Sequence, residues 1–242
     1  MIESLARYAV YFAPAEDSPF ARFGAWWLGR DAWRDDVLLQ PSVDGVSPVR
    51  LSQMTASARR YGLHGTLKPP FALREGGRLD ELDAALGEFA GRQRSFQFGV
   101  RLVPLAGFLA WQPTGAFSEL ADIAAACVTE FDGFRRPMDP TEFERRRRVG
   151  LNVRQTEMLR RWGYPYVLDE FRFHITLSDT LAAADARRLQ SELEHRTESF
   201  ATQTMRFDSL CLFVEPTPGA DFRPIARYGF DGTVHRHREP PA

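Results

Sequence analysis

The sequence predicts an α+β protein of two similar halves facing one cleft, and three observations carry that prediction. Short aromatic and β-branched runs alternate with stretches whose apolar residues recur at helical spacing. A four-residue element, His-x-Thr-Leu, occurs twice, at His64-Gly65-Thr66-Leu67 and His174-Ile175-Thr176-Leu177. Each copy is followed by an amphipathic helix and then by a pair of strands, so the order of elements repeats weakly. No fixed period accompanies the repeat, which sets the chain apart from a solenoid.

With 242 residues, 44% of them hydrophobic and 26% charged, the chain can bury a sizeable core and needs at most two lobes. A single two-lobed, pseudo-symmetric domain is expected over 1–233, its lobes interleaved or side by side, with 234–242 a polar, disordered tail. The formal net charge of -1 weighs against a partner as long and anionic as duplex nucleic acid. A small anionic ligand in a local basic pocket is compatible with it. Cys127 and Cys211 sit far apart in apolar runs and read as buried small hydrophobes of a reducing compartment. There is no basic-then-apolar leader pattern, and no apolar run approaches the ~18 residues of a membrane span. A soluble cytoplasmic protein is the expectation.

Arg7 to Ala13 is aromatic and β-branched and reads as a strand that Pro14 stops. Ser18-Pro19 then has the form of an N-cap with proline at the first helical position, and Phe20, Phe23 and Trp27 supply an apolar face. The stretch from Arg34 to Pro48 reads as loop, and Ser52 to Arg60 as a short helix. The first motif strand runs from Leu63 to Lys68 and should halt at Pro69-Pro70. Leu79, Leu82, Leu86 and Phe89 mark a helix, and Phe96 to Val103 with Phe108 to Trp111 a hairpin. Ser118 is placed as the cap of a helix that buries Leu120, Ile123, Cys127 and Phe131. Asp139-Pro140-Thr141-Glu142 resembles a capping box opening one long basic helix towards Trp162-Gly163. The second motif strand is expected over Phe171 to Ser178, a helix around Asp185 to His195, and two last strands over Met205 to Glu215 and Ile225 to Phe230.

Residues i, i+2 and i+4 of a strand share a face. One face of the first motif therefore carries His64, Thr66 and Lys68, and one face of the second carries Arg172, His174, Thr176 and Ser178. The motifs lie 110 positions apart, so only long-range pairing can bring them together. Together they suit cleavage of a phosphodiester. That reaction needs a base for the nucleophile and an acid for the leaving oxygen, and histidine, with an unperturbed pKa of about 6.5, can be either. Thr66 and Thr176 can donate to the non-bridging oxygens, and Lys68 and Arg172 can neutralise charge. The scheme requires no metal and no cofactor. Either His-x-Thr alone means little. Two copies of His-x-Thr-Leu among five histidines are a coincidence on the order of one in a thousand at background residue usage. Tyr8 and Tyr11 start on opposite faces of the first strand, so only one of them can face the cleft, and Tyr11 is taken as the candidate. Arg145 to Arg148 read mainly as a solvated helix face, with some of them available to an anionic substrate. His195 reads as a solvated helix end, and His235 and His237 as part of the tail.

The paired elements resemble the two-histidine (2H) phosphoesterase superfamily. The closest likeness is to its bacterial phosphonate-metabolism branch. It is carried by Arg7-Tyr8-Ala9-Val10-Tyr11-Phe12-Ala13-Pro14, by Tyr61-Gly62-Leu63-His64-Gly65-Thr66-Leu67-Lys68-Pro69-Pro70-Phe71 and by Phe173-His174-Ile175-Thr176-Leu177. The resemblance implies a pseudo-symmetric α+β fold with antiparallel sheets lining a cleft and helices outside. It implies that His64 and His174 act as acid and base, with Thr66 and Thr176 on the phosphate. It implies a metal-independent cyclic phosphodiesterase acting on a small phosphate ester, with Lys68 towards the more anionic end. A ribose cyclic phosphate bearing a further phosphate is the substrate expected in phosphonate breakdown. Processing of RNA 2',3'-cyclic phosphate ends and a non-catalytic phosphate-binding module are the alternatives.

Overall fold

The computed structural model of the chain describes residues 6–237. The expected first strand is β1 (Arg7–Phe12), and α1 (Pro19–Leu28) starts as read, with Ser18 Oγ accepting from the Ala21 amide at 3.1 Å. A small hairpin, β2 (Arg30–Asp31) and β3 (Asp36–Val37), punctuates the loop that follows. The short helix expected over 52–60 is two helices, α2 (Pro48–Met54) and α3 (Ala56–Tyr61). The Thr55 hydroxyl donates to the Leu51 carbonyl at 3.0 Å and closes the first. The second is capped from far along the chain by the Asp179 carboxylate, which accepts from the amides of Ser57 and Ala58.

β4 (Gly65–Phe71) continues through Pro69 and Pro70, where the sequence reading stopped it. Its ladder with β1 shifts register twice: Tyr11 faces Thr66, Val10 faces Lys68 and Tyr8 faces Phe71. Bulges of this kind leave positions without a ladder hydrogen bond, and proline, having no N–H, fits such positions. α4 (Leu79–Ala90) and the hairpin of β5 (Phe96–Leu105) and β6 (Phe108–Pro113) follow as expected. α5 (Phe117–Glu130) starts from Ala116, held left-handed at φ 54, while the Ser118 hydroxyl turns to the Glu119 carboxylate at 2.8 Å instead of capping. The long basic helix is interrupted. α6 (Pro140–Arg147) ends ahead of Gly150 at φ 85, and a full capping box between Asn152 and Gln155 starts α7 (Val153–Trp162).

The second motif strand is far shorter than the sequence suggests, since β7 is Ile175–Thr176 alone. Tertiary partners replace the ladder on either side of it. Beyond Thr176 the Leu177 amide donates to the Leu109 carbonyl at 2.8 Å, and the Trp27 indole donates to the Leu177 carbonyl at 2.8 Å. The chain then forms α8 (Ala183–Thr197), β8 (Thr204–Phe207), β9 (Ser209–Glu215), β10 (Arg223–Gly229) and β11 (Val234–Arg236). Val234–Arg236, expected as frayed tail, pairs with β10, and residues 238–242 lie outside the described residues.

The strands form one sheet in the order β11-β10-β9-β1-β4-β7-β6-β5-β8. The strand expected over Met205 to Glu215 is an extended run broken at Asp208. Its first part pairs with β5 at the sheet's edge and its second with β1 near the other side. One residue thus links the two flanks, and the sheet must curl back on itself. Inside the curl Phe12 packs against Phe98, Phe173 and Phe207, with ring centroids 4.9–5.9 Å apart. α4 lies on β9 and β10 and α8 on β5 and β6, contributing Leu82, Leu86, Phe89, Leu189 and Leu193 to the same core. The hairpin following the first motif therefore flanks the second motif's strand, and the two halves are interleaved. No helix among the described residues is long and apolar enough to cross a membrane.

β4 and β7 meet at one antiparallel position, Gly65 opposite Ile175. A Cβ on Gly65 would lie 2.4 Å from Cζ of Phe173, so the ring that packs the second motif fills the space a side chain would need. Gly65→Ala is therefore expected to destabilise the protein by about 1–3 kcal/mol through overpacking. Urea unfolding would show this as a lowered midpoint, and an unchanged midpoint would contradict the tight junction.

Candidate active site

The odd-numbered residues of β1 and the helix-facing ones belong to opposite faces of the sheet. Val10 and Phe12 join the core under the helices, whereas Ala9, Tyr11 and Ala13 join Cys211, Phe213 and Phe222 on the other side. Thr66 pairs with Tyr11 and so shares that second face. Stepping one residue either way from Gly65–Ile175 sets His64 beside Thr176 and Thr66 beside His174. Each imidazole thus adjoins the other motif's hydroxyl, about a pseudo-two-fold axis through the junction. The pairing required by two motifs 110 positions apart is made directly, strand against strand.

The two histidines are held alike. Nδ1 of His64 lies 3.0 Å from the Gly62 carbonyl, and Nδ1 of His174 lies 2.8 Å from the Arg172 carbonyl. A carbonyl only accepts, so each Nδ1 carries the proton and each neutral ring keeps its lone pair on Nε2. Nε2 of His64 accepts from the Thr66 hydroxyl at 3.2 Å. Gly62 turns its carbonyl inward from φ 74 and ψ 175, a region open essentially to glycine alone. A Cβ there would also stand 2.8 Å from Ala32 Cβ. This residue was not singled out from the sequence, although its place two residues before the histidine was the available signal.

Burial and contact separate the two rings. His64 packs against Tyr11 with centroids 4.0 Å apart and near Tyr61 at 5.6 Å. Desolvation lowers its pKa from 6.5 to about 4; the Gly62 hydrogen bond opposes the shift and the neighbouring His174 adds to it. Desolvation also lowers His174, against the Arg172 hydrogen bond. Phe108 flanks His174 at 5.5 Å.

Of the other residues expected in the site, Tyr11 and Thr176 share the histidine face and Arg172 borders it. The Arg172 side chain is exposed, with no ion pair among the described residues. Lys68 is committed elsewhere: it is buried, its Nζ donates to the Val128 carbonyl at 3.0 Å and lies 3.7 Å from the Asp132 carboxylate. Desolvation lowers its pKa to about 8, with Asp132 opposing. Ser178 is also buried; its hydroxyl accepts from the Leu109 amide and donates to the Asp179 carbonyl, both at 2.9 Å. Strict alternation put both on a polar face, and the structure uses both to tie the motif strands to their neighbours. Arg145 and Arg146 pair with Glu142 and Arg147 with Glu144, as a solvated helix face would.

Residues 66–223 match the family described as "Protein of unknown function (DUF1045)". A protein of Janthinobacterium sp. (strain Marseille) named ribose 1,5-bisphosphate phosphokinase PhnN is 40% identical over 243 residues, 98% of this chain and 54% of that one. Its namesake in Laribacter hongkongensis (strain HLHK9) is 38% identical over 219 residues, 90% of this chain and 50% of that one. The chain spans about half the length of these curated relatives. Among solved structures, Kluyveromyces marxianus Usb1 aligns over 93% of this chain and all of its own, at 12% identity and a TM-score of 0.35. The family match covers most of a chain whose two His-x-Thr-Leu strands meet at one point of one sheet. The chain belongs to the DUF1045 family.

Proposed function

We propose that the chain is a phosphodiester hydrolase that opens a small cyclic phosphate by two-histidine acid/base catalysis. The carrying observation is the Gly65–Ile175 junction, which gathers two imidazoles, each with its lone pair on Nε2, and two threonine hydroxyls around one point. A phosphate there has a ring nitrogen on either side and a hydroxyl for each non-bridging oxygen, the geometry of in-line displacement. One histidine takes a proton from water as its oxygen bonds to phosphorus. The other gives a proton to the ring oxygen as the P–O bond breaks. The products are a phosphomonoester and a free hydroxyl, and the histidines have exchanged protonation states. His64 is the more deeply desolvated ring and so the harder to protonate, and we assign it the base role and His174 the acid role.

For the substrate we favour 5-phosphoribosyl 1,2-cyclic phosphate, as would arise in phosphonate breakdown. Cleaving its P–O2 bond leaves ribose 1,5-bisphosphate, the compound in the name of relatives about twice this chain's length. A chain that matches half of such proteins suits the step that supplies that compound. The nucleotide-binding pattern G-x-x-x-x-G-K-[ST] needs a lysine after glycine, and the single lysine here, Lys68, follows Leu67. The exposed Arg172 guanidinium, without an ion pair among the described residues, adds positive charge near the phosphate that reacts between the histidines.

His64→Ala and His174→Ala are each expected to abolish turnover with the fold intact by circular dichroism, and EDTA to leave the wild-type rate unchanged. Strong chelator sensitivity would sink the mechanism. Assaying 5-phosphoribosyl 1,2-cyclic phosphate beside a 2',3'-cyclic-phosphate-ended oligonucleotide tests the substrate, and binding of both without cleavage would favour a binding module.

The pH profile follows from the histidines. Below about pH 4 both rings are protonated and no base remains. Above the pKa of His174, itself held below 6.5, both are neutral and no acid remains. A bell-shaped kcat/KM with its optimum on the acid side of neutrality is expected, and a profile flat from pH 4 to 7 would refute it. Gly62→Ala should reduce kcat, because the Gly-only backbone that points its carbonyl at His64 Nδ1 must move, and should cost about 1–3 kcal/mol of stability. A fully active Gly62→Ala enzyme would show that this carbonyl does not position the base.

A further inference from the structure

The frame of the cleft is symmetric, but its lining is not. Gly65 faces Phe12 on one side of the junction as Ile175 faces Trp111 on the other, and all four point into the core side of the sheet. One step along, Thr66 faces Tyr11, whereas Thr176 faces Ala110. Tyr11 and Ala110 are therefore equivalent positions about the pseudo-two-fold axis, one bearing a phenol and the other a methyl group.

The Tyr11 phenol has no visible structural purpose. The side chain is wholly buried, and its hydroxyl has no hydrogen-bond partner among the described residues. Its neighbours Phe213 and Phe222 are phenylalanines, and a third would pack equally well. Buried hydroxyls ordinarily find partners, as that of Tyr228 does with Asp83 at 2.6 Å. Tyr11 packs against the His64 ring at 4.0 Å, and the Tyr61 ring lies 5.6 Å from that same imidazole. Behind them Arg7 and Arg60 both pair with the buried Glu215, and the Arg60 guanidinium also sits 4.9 Å from the Tyr61 ring centre. Two guanidinium groups against one carboxylate leave a net positive charge beside the phenols.

We propose that Tyr11, with Tyr61 and the Arg7–Glu215–Arg60 cluster behind them, forms a second anion subsite on the His64 side of the histidine pair. It takes the phosphomonoester that the substrate carries away from its reacting ring, and Ala110 leaves no counterpart on the His174 side. The substrate thus binds in one of the two orientations that the symmetric histidine pair would otherwise allow. A neutral phenol held in place donates a hydrogen bond to a phosphate oxygen, and the net positive charge favours a dianion over a neutral hydroxymethyl group. The assignment rests on the phosphoesterase reading for its substrate, but the subsite can be tested without turnover.

The variant is Tyr11→Phe, which keeps the ring against His64 and removes only the oxygen. Its probes are 5-phosphoribosyl 1,2-cyclic phosphate and ribose 1,2-cyclic phosphate, which differ only in the remote phosphate. Wild type should prefer the phosphorylated compound. The variant should lose roughly ten- to a hundredfold in kcat/KM on it and distinctly less on the other, so the preference shrinks. Equal loss on both would make Tyr11 a support for His64 and overturn the subsite, as would no loss on either. If wild type cleaves neither compound, the proposed reaction fails, and calorimetry with ribose 5-phosphate decides the subsite separately. Binding by wild type that Tyr11→Phe weakens at least tenfold sustains it, and no binding by wild type, or equal binding by both, overturns it.

Discussion

The site depends on one antiparallel contact between two very short pieces of strand. Gly65 meets Ile175, and the histidine and threonine of each motif are one residue away from that meeting. A strand pair one residue out of register would turn the histidines into the core and the apolar residues into the cleft. So short a ladder cannot hold its register by its own hydrogen bonds, and the neighbours hold it. Phe173 fills the space above Gly65, Trp27 takes the Leu177 carbonyl, Ser178 and the Leu177 amide join Leu109, and Asp179 caps α3. These contacts come from both halves of the chain, so neither half can form the site without the other.

The same economy governs the imidazoles. Each is oriented by the carbonyl two residues before it, a contact any extended chain could offer but one that at His64 requires the unusual backbone of Gly62. Fixing Nδ1 as the donor determines which nitrogen reacts and removes the ring's freedom to flip. Burial against Tyr11 then makes the rings unequal, so an otherwise symmetric pair acquires a member that stays neutral to lower pH.

How much of this could be read in advance follows from the range of each interaction. Period-two alternation is local, so the polar faces bearing His64, Thr66, His174 and Thr176 were legible in the chain, as were the α1 cap at Ser18 and the hairpin over 96–113. The junction was not, because nothing in either tetrapeptide names its partner 110 residues away. Lys68 and Ser178 were misjudged for the same reason. Alternation indicates a direction, whereas their roles are set by Val128, Asp132 and Leu109, brought near only by the finished fold. The helix breaks at Thr55 and around Gly150 escaped notice because helical periodicity persists across them. The crossover at Asp208 escaped because a strand that changes partners looks, in sequence, like one long strand.

The electrostatics of the cleft complete the argument. The chain's only lysine is buried beside α5, so the positive charge nearest the histidine pair is the net charge that Arg7 and Arg60 keep after sharing the Glu215 carboxylate, and burial favours the neutral form of both imidazoles. Uncharged imidazoles cost far less to bury than imidazolium ions, so the fold can place two of them side by side. In the proposed reaction a phosphate between them reverses the balance, since its negative charge favours the protonated form of whichever ring is the easier to protonate. That ring is His174, the less strongly desolvated of the two. Binding and proton uptake are then linked, each strengthening the other. The acid that the proposed reaction needs for its leaving oxygen is in this way assembled by the substrate itself, and a ligand without the charge would find both histidines neutral.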